Sequence, residues 1–201
     1  MNGREFLEIL HVAERLKDTL RHSTTTNGRP ESVAEHSWRT ALMALLLSGE
    51  FPELDIHKVV AMCLIHDLGE CFTGDIPSFR KTDADRQTED DLLERWVASL
   101  PEELSKDLSA LFREMDAQKT GEAKLYKALD KLEALIAHNE SDLDTWLPLE
   151  YDLQFTYGRE NTDASPTLRA LREAVDAWSR RKIDGGAADR EAGMHPVAGP
   201  R

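Results

Sequence analysis

Cysteine is scarce in this sequence. Only Cys63 and Cys71 occur among 201 residues. The two could pair with each other, but they make no disulfide framework, so the fold must rest on a hydrophobic core. Glycine and proline are also sparse, at 11 and 8, which leaves little to interrupt long helices. Aromatic residues make up 6% and β-branched runs are few, which leans away from an all-β fold. No apolar run approaches the length of a membrane span; the stretch Ala41 to Leu47 is far too short. The first ten residues carry charge among their apolar side chains and lack a signal-peptide core. Basic charge is lacking as well, since the formal net charge is −13. A protein that tracks a nucleic-acid backbone normally shows a basic stripe, and none is present. Nucleic-acid polymers and membranes are therefore excluded as expected partners. A small phosphorylated substrate is not, because a metal ion and one or two Arg or Lys can reverse the local field. The expected setting is reducing and cytoplasmic.

What is present is ordinary for a globular chain: 40% apolar and 31% charged residues, enough for one well-cored domain. Phe6, Ile9, Leu10, Ala13, Leu16 and Leu20 recur at helical spacing and predict a first helix from about Gly3 to Arg21. His22 to Pro30 reads as a loop around Asn27-Gly28. Ser32 and Glu35 form a capping-box pattern for a second helix running to about Ser48. Asp55 caps a third, strongly apolar helix that should end near Gly69 and looks central. Glu70 to Thr82 reads as a structured loop. A fourth helix is expected over Asp83 to Leu100, and a fifth behind Pro101, with Glu102 and Glu103 at its positive end. A sixth follows Gly121. A less regular segment holds Pro148 and Gly158, and a last helix runs from Ser165-Pro166 to near Ile183. The fold class is all-α, a single helical bundle of about seven or eight helices over residues 1–183. The Gly- and Ala-rich tail, 184–201, reads as lacking fixed structure.

Several positions carry metal-type ligands. His36 lies one turn into the second helix, His66-Asp67 closes the third, and Asp130 lies inside the sixth. Glu70 and Asp75 follow in the loop. Imidazole nitrogen and carboxylate oxygen suit a divalent transition metal such as Mn, Co, Fe, Ni or Zn, and two Asp balance its charge. Spacing does not establish such a site. Neighbouring residues on a helix point about 100° apart, so His66 and Asp67 share an ion only at a helix end or an interhelical seam. With seven His and eighteen Asp in the chain, one His-Asp dipeptide is close to what chance supplies. His36 reads equally as a partly exposed helix residue. Asp130 reads as half of a solvated ion pair, and Glu70 and Asp75 as turn caps. The context is more telling: an acid inside an apolar helix, and a His-Asp pair closing the most apolar one, each needing a partner if buried.

Taken together, these blocks resemble the HD-domain phosphohydrolases. Glu31-Ser-Val-Ala-Glu-His36 is similar to their E-x-V-x-E/D-H pattern. His66-Asp-Leu-Gly-Glu70-Cys-Phe-Thr-Gly-Asp75 looks like the HDxxE…TGD segment of the 5′-deoxynucleotidase branch. Glu122-Ala-Lys-Leu-Tyr-Lys127-Ala-Leu-Asp130 looks like that branch's E-x-K-x-x-K-x-x-D. The resemblance spans roughly Leu16 to Ile183. It implies an all-α fold and one divalent metal on His36, His66, Asp67 and Asp130. It implies hydrolysis of the 5′-phosphate of (deoxy)ribonucleoside monophosphates, with Glu70 as the proton-transfer residue. Asp75 would place the sugar and reacting groups. Arg21 matches an arginine that contacts the phosphate. By helix spacing alone, Lys127 can face the same side as Asp130 as a second cation, and reads equally as an ion pair with a helix neighbour. The position after Arg21 is commonly tryptophan in bacterial members and takes part in sugar discrimination. Here it is His22, so strict preference for 2′-deoxyribose is not implied. Family members are often homodimers, and Trp96 and Trp178 are contact candidates whose plainer reading is core packing. The competing readings are an HD phosphohydrolase of another nucleotide (triphosphate, cyclic nucleotide or alarmone), a two-iron HD oxygenase, for which the remaining histidines are badly placed, and a non-catalytic helical metal-binding interaction protein.

Overall fold

The computed structural model describes residues 1–191, with side chains to residue 185. Ten α-helices run through them. They are α1 (Gly3–Ala13), α2 (Val33–Leu46), α3 (Ile56–Ile65), α4 (Glu70–Thr73), α5 (Asp83–Ala98), α6 (Glu102–Ala117), α7 (Gly121–Glu140), α8 (Glu150–Thr156), α9 (Arg159–Thr162) and α10 (Pro166–Glu191). Eight have seven residues or more, as the sequence predicts, and α4 and α9 are single turns. The only strands among the described residues are β1 (Leu20–Thr24) and β2 (Pro30–Ser32), an antiparallel ribbon. No described helix is long and apolar enough to cross a membrane.

The expected caps form. Ser32 accepts the Glu35 amide while the Glu35 carboxylate takes the Ser32 N–H, and Asp55 accepts the Lys58 amide at 3.1 Å. Each such cap is worth about 1 kcal/mol.

Three boundaries differ from expectation. The first helix stops at Ala13 and tightens into a 3₁₀ turn over Glu14–Lys17, and the chain then extends into β1. Its apolar stripe stays helical only to there because the ribbon must cross α7: Ser141 Oγ accepts the Thr24 N–H at 3.2 Å and donates to its carbonyl at 2.7 Å. The segment read as a loop thus carries strand residues at both ends, with the turn closed at Gly28, φ +78°. The third helix ends at Ile65, with His66 as its cap residue. The last helix continues through 184–191; the rest of the tail lies outside the described residues.

α3 is central, as expected, and α7 lies at the centre with it. Ala123, Ala128, Leu129 and Leu132 on α7 are fully or almost fully buried, and α2, α3, α6 and α10 pack around them with Val59, Met62 and Cys63 of α3. Full burial of each Leu contributes about 1.5–3 kcal/mol. Thr120 caps the start of α7, its hydroxyl accepting the Ala123 N–H at 3.2 Å. The segment before α10 is fastened by buried Arg172, which donates to Asp176 at 2.7 Å and to the carbonyls of Tyr157 and Gln154 at 2.6 and 3.2 Å. Cys63 and Cys71 are buried free thiols. Trp96 packs on Phe72 inside the fold, with ring centroids 6.1 Å apart. Trp178 lines a shallow apolar groove with Met43 and Leu132.

Candidate metal centre and active site

Four side chains from three parts of the chain meet over the middle of α7. His36 comes from the second turn of α2. His66 and Asp67 come from the break after α3, which lets adjacent residues face one point. Asp130 comes from α7 itself. His36 Nε2 lies 3.1 Å from His66 Nε2, 3.7 Å from Asp67 Oδ2 and 3.4 Å from Asp130 Oδ1. His66 Nε2 lies 3.0 Å from Asp67 Oδ2 and 3.7 Å from Asp130 Oδ1.

The outer nitrogens decide what the inner ones offer. His66 Nδ1 donates to the Cys63 carbonyl at 2.8 Å; a carbonyl only accepts, so Nδ1 carries the hydrogen. His36 Nδ1 donates to Glu133 in a short hydrogen bond. Burial works against charge on Glu133, but His36, Arg21 and Arg39 outweigh it and hold the carboxyl down at about 2. Both Nε2 lone pairs therefore point inward at two carboxylate oxygens. Four Lewis bases around one point repel unless a cation lies among them. Without a metal that cation is a proton: against the cost of burial, Asp67 and Asp130 lift the His66 imidazole to about 10. Nitrogen and carboxylate donors of this kind fit a divalent transition ion.

Asp130 is divided between two tasks. Oδ1 faces the histidines, while Oδ2 is held by Lys127 at 3.0 Å and Lys131 at 3.3 Å. Lys131 is steered in turn by the Tyr157 hydroxyl at 2.7 Å. Gly158, at φ +64°, makes this approach possible, because a β-carbon there would stand 2.4 Å from Lys131 Cβ.

The quartet opens on a cavity of about 220 Å³ that Arg21, His22, Glu70, Asp75 and Lys127 also line. Glu70 Oε2 is buried with no hydrogen-bond partner. Burial, then Asp67, Asp75 and Glu89, push its carboxyl up to about 9. Asp75 is raised as well, chiefly by burial. Arg21 Nη1 donates to Glu31 and to Glu133, both at 3.2 Å, while the side chain as a whole still lines the cavity. His22 Nε2 lies 3.1 Å from Glu150 Oε1.

The profile of the HD domain family matches residues 13–172. The chain belongs to the HD domain family. Within that family it is similar to the 5′-deoxynucleotidase HDDC2 of Homo sapiens, 32% identical over 143 residues that cover 69% of each chain. It is similar to the 5′-deoxynucleotidase hdd1 of Schizosaccharomyces pombe, 28% identical over 67% of this chain and 73% of that one. In structure it is similar to a protein from Magnetospirillum magnetotacticum described as a predicted metal-dependent phosphohydrolase, with TM-score 0.74 and 27% identity over 96% and 98% of the two chains.

The candidate metal, catalytic and substrate residues read from the sequence (Arg21, His22, His36, His66, Asp67, Glu70, Asp75, Lys127 and Asp130) all lie at the quartet or in the cavity beside it. Glu133, which orients His36, was missed, as were Lys131 and the Glu31–Arg39 pair around Glu133. Glu133 stands three residues after Asp130 on the same face of α7, but α7 carries many other charged residues, and only the packing of α2 shows that this acid faces His36.

Proposed function

We propose that this chain hydrolyses the 5′-phosphate of nucleoside monophosphates, deoxynucleotides included, with one divalent transition metal on His36, His66, Asp67 and Asp130. The observation that carries the proposal is the convergence of four inward-facing Lewis bases beside an unpartnered buried carboxyl, Glu70. The 5′-deoxynucleotidase names of the relatives support the substrate class. When bound, the ion supplies Lewis acidity toward water and a phosphoryl oxygen.

The chain's own residues do the rest. Glu70 Oε2 receives the proton of the attacking water. In the metal-free protein burial, Asp67, Asp75 and Glu89 raise its carboxyl to about 9; a divalent cation beside Asp67 would favour the ionised form that accepts a proton, and help of this kind is worth about 10²–10⁴-fold. Arg21, Lys127 and Lys131 offset charge on the phosphoryl oxygens. Glu31 and Glu133 fix Arg21, so little side-chain freedom is lost on binding. Asp75 positions the sugar, and His22 occupies the neighbouring edge of the cavity. The P–O5′ bond breaks as the water oxygen bonds to phosphorus, the proton taken up by Glu70 passes to the departing 5′-oxygen, and the products are nucleoside and inorganic phosphate.

The proposal extends to the setting: a small-molecule partner rather than a polymer, given the net charge of −13, and a reducing cytoplasm, with which two buried free thiols agree. A homodimer belongs to it too, with the Trp178 groove as a contact to be probed by size-exclusion chromatography. A phosphate-release panel over dNMPs, NMPs, nucleoside triphosphates, cyclic nucleotides and an alarmone, with added Mn²⁺ or Co²⁺, tests the activity. Release from monophosphates supports it. Release only from triphosphates, cyclic nucleotides or alarmones, or from nothing, refutes it.

A further inference from the structure

Asp75 stands on a segment that the core does not hold. Glu70 and Cys71 are buried in α4, but none of residues 72–82 is buried. Within the segment the Pro77 carbonyl accepts the Arg80 and Lys81 N–H groups at 2.7 and 3.0 Å. Those turn bonds shape the loop without tying it to the fold. A loop with so little buried surface opens readily unless polar contacts hold it. Yet Asp75, Ile76, Pro77 and Phe79 form one wall of the cavity beside the quartet.

Among the described residues, every hydrogen bond or ion pair from a side chain of 73–81 to another segment ends on one atom, Glu89 Oε2 of α5. Thr73 Oγ1 donates to it at 3.1 Å and Lys81 Nζ at 2.7 Å. The side-chain bond that α5 makes onto the loop backbone, from Arg86 Nη2 to the Lys81 carbonyl, is long at 3.5 Å. Thr73 begins the loop and Lys81 ends it. A single carboxylate oxygen therefore joins the two ends, as in a compact surface loop whose termini meet. An exposed ion pair would contribute little, but the Lys81 and Glu89 side chains are only 12% and 15% exposed. Glu89 is also packed against the segment that carries the metal-type ligands. A β-carbon on Gly69 would stand 2.6 Å from Glu89 Cγ, so the glycine two residues after Asp67 gives Glu89 the room to reach Thr73 and Lys81. Glu89 and Lys81 both stand near enough to Glu70 to act on its carboxyl, the first raising it and the second lowering it.

We propose that Glu89 is a positioning residue: by joining Thr73 to Lys81 it closes residues 73–81 into a fixed loop and holds Asp75 in the wall of the active site. What the loop does there rests on the nucleotide phosphomonoesterase reading above, in which Asp75 positions the sugar. Neither Glu89 nor Lys81 needs to touch the substrate. The quartet and Glu70 are anchored by α2, α3, α4 and α7, so opening the clasp weakens substrate placement more than it slows the chemical step.

Two variants open the clasp from its two sides. Lys81→Met removes the cation and keeps the reach of the side chain, and Glu89→Gln removes the charge and keeps the shape. Hydrogen exchange on the substrate-free protein reads the loop. The amides of residues 74, 80 and 81 are expected to exchange about tenfold faster or more in both variants, with the melt and the exchange of α7 unchanged. Steady-state kinetics on a dNMP at saturating Mn²⁺ reads the site. KM is expected to rise about tenfold while kcat changes by less than about threefold. Unchanged exchange across 73–81 in either variant overturns the clasp, and so does faster exchange spread over the whole chain with a lowered melt. A raised KM without faster exchange assigns Lys81 to substrate contact and overturns the positioning role, as does faster exchange with an unchanged KM. If wild-type protein releases phosphate from no substrate, the phosphomonoesterase reading fails, and the exchange arm, which needs no substrate, still decides the clasp.

Discussion

His36 Nε2 and His66 Nε2 stand 3.1 Å apart, and neither ring can turn its hydrogen inward because each Nδ1 is already donating, to Glu133 and to the Cys63 carbonyl. The two nitrogens therefore compete for one cation. A proton fills the role in the metal-free protein and a divalent ion displaces it. Metal binding near neutral pH should release protons. Titration calorimetry in buffers of different ionisation enthalpy measures the number, with about one proton expected and none contradicting the assignment.

The same charges set the pH dependence of the metal-free fold. His66 is lifted from 6.5 to about 10 and Glu70 from 4.5 to about 9. In both cases the folded state binds the proton more tightly than the unfolded state. The His66 contribution is complete below 6.5 and is lost as pH rises through about 10. Glu70 destabilises progressively from 4.5 up to about 9. Asp67, Asp130 and Glu133 are held below their ordinary values, so their contribution is lost in strong acid. Metal-free protein should be most stable in mild acid, near pH 5–6, and its melting temperature should fall steadily toward pH 9. Saturating metal should move the optimum upward by stabilising the deprotonated quartet. Melts across pH with and without chelator test this; a metal-free optimum above pH 8 would contradict it.

Glu133→Gln should act at a distance from the reacting atoms. The substitution removes a buried charge shared by His36, Arg21 and Arg39, which reaches Glu133 Oε1 through Nε at 2.6 Å. Loss of a carboxylate that orients a ligating imidazole typically costs about 10–100-fold in metal affinity, and Arg21 and Arg39, which keep Glu31 and Glu140 as partners, lose one charged hydrogen-bond partner at a cost of about 1–3 kcal/mol. Metal titration and thermal melts are the readouts. Unchanged affinity would show that Glu133 does not position His36.

Glu70→Gln separates proton transfer from metal binding. It keeps the shape of the side chain, and Glu70 is not in the quartet. Metal content should stay stoichiometric while kcat drops about 10²–10⁴-fold. Asp67→Ala should lose metal and turnover together. Activity retained in the Gln variant would remove Glu70 from the reaction.

Gly158→Ala probes the approach that steers Lys131. It combines a positive φ with a β-carbon 2.4 Å from Lys131, so a destabilisation of about 1–3 kcal/mol is expected. Lys131 would be displaced from Asp130, and KM should rise more than kcat falls. A variant with wild-type melt and KM would show that the lysine is not held by this contact.

Much of the frame was readable in the sequence because it depends on local rules. Ser32 with Glu35, Asp55, and Pro101 with Glu102 mark helix starts through interactions within a few residues. The two histidines and two aspartates of the quartet are recognisable as ligand types in a motif order. What was not readable depends on contacts between distant segments. The ribbon at Leu20 to Ser32 exists because Ser141, more than a hundred residues later, takes up its backbone groups. Glu133 looks like any acid on a helix until α2 brings His36 over it. Glu150 and Gln154 sit in a stretch without clear periodicity, and their contacts run to Leu135, His138 and Ser179 on other helices.

The central claim is that one divalent ion on this quartet makes the chain a nucleoside monophosphatase. It is tested most directly by stripping the protein with chelator and titrating Mn²⁺ or Co²⁺ back while following phosphate release from a dNMP. Release should be absent from the stripped protein and rise to a plateau at about one ion per chain. Undiminished release after stripping, or no release at any metal level from protein shown to hold one ion, would contradict it.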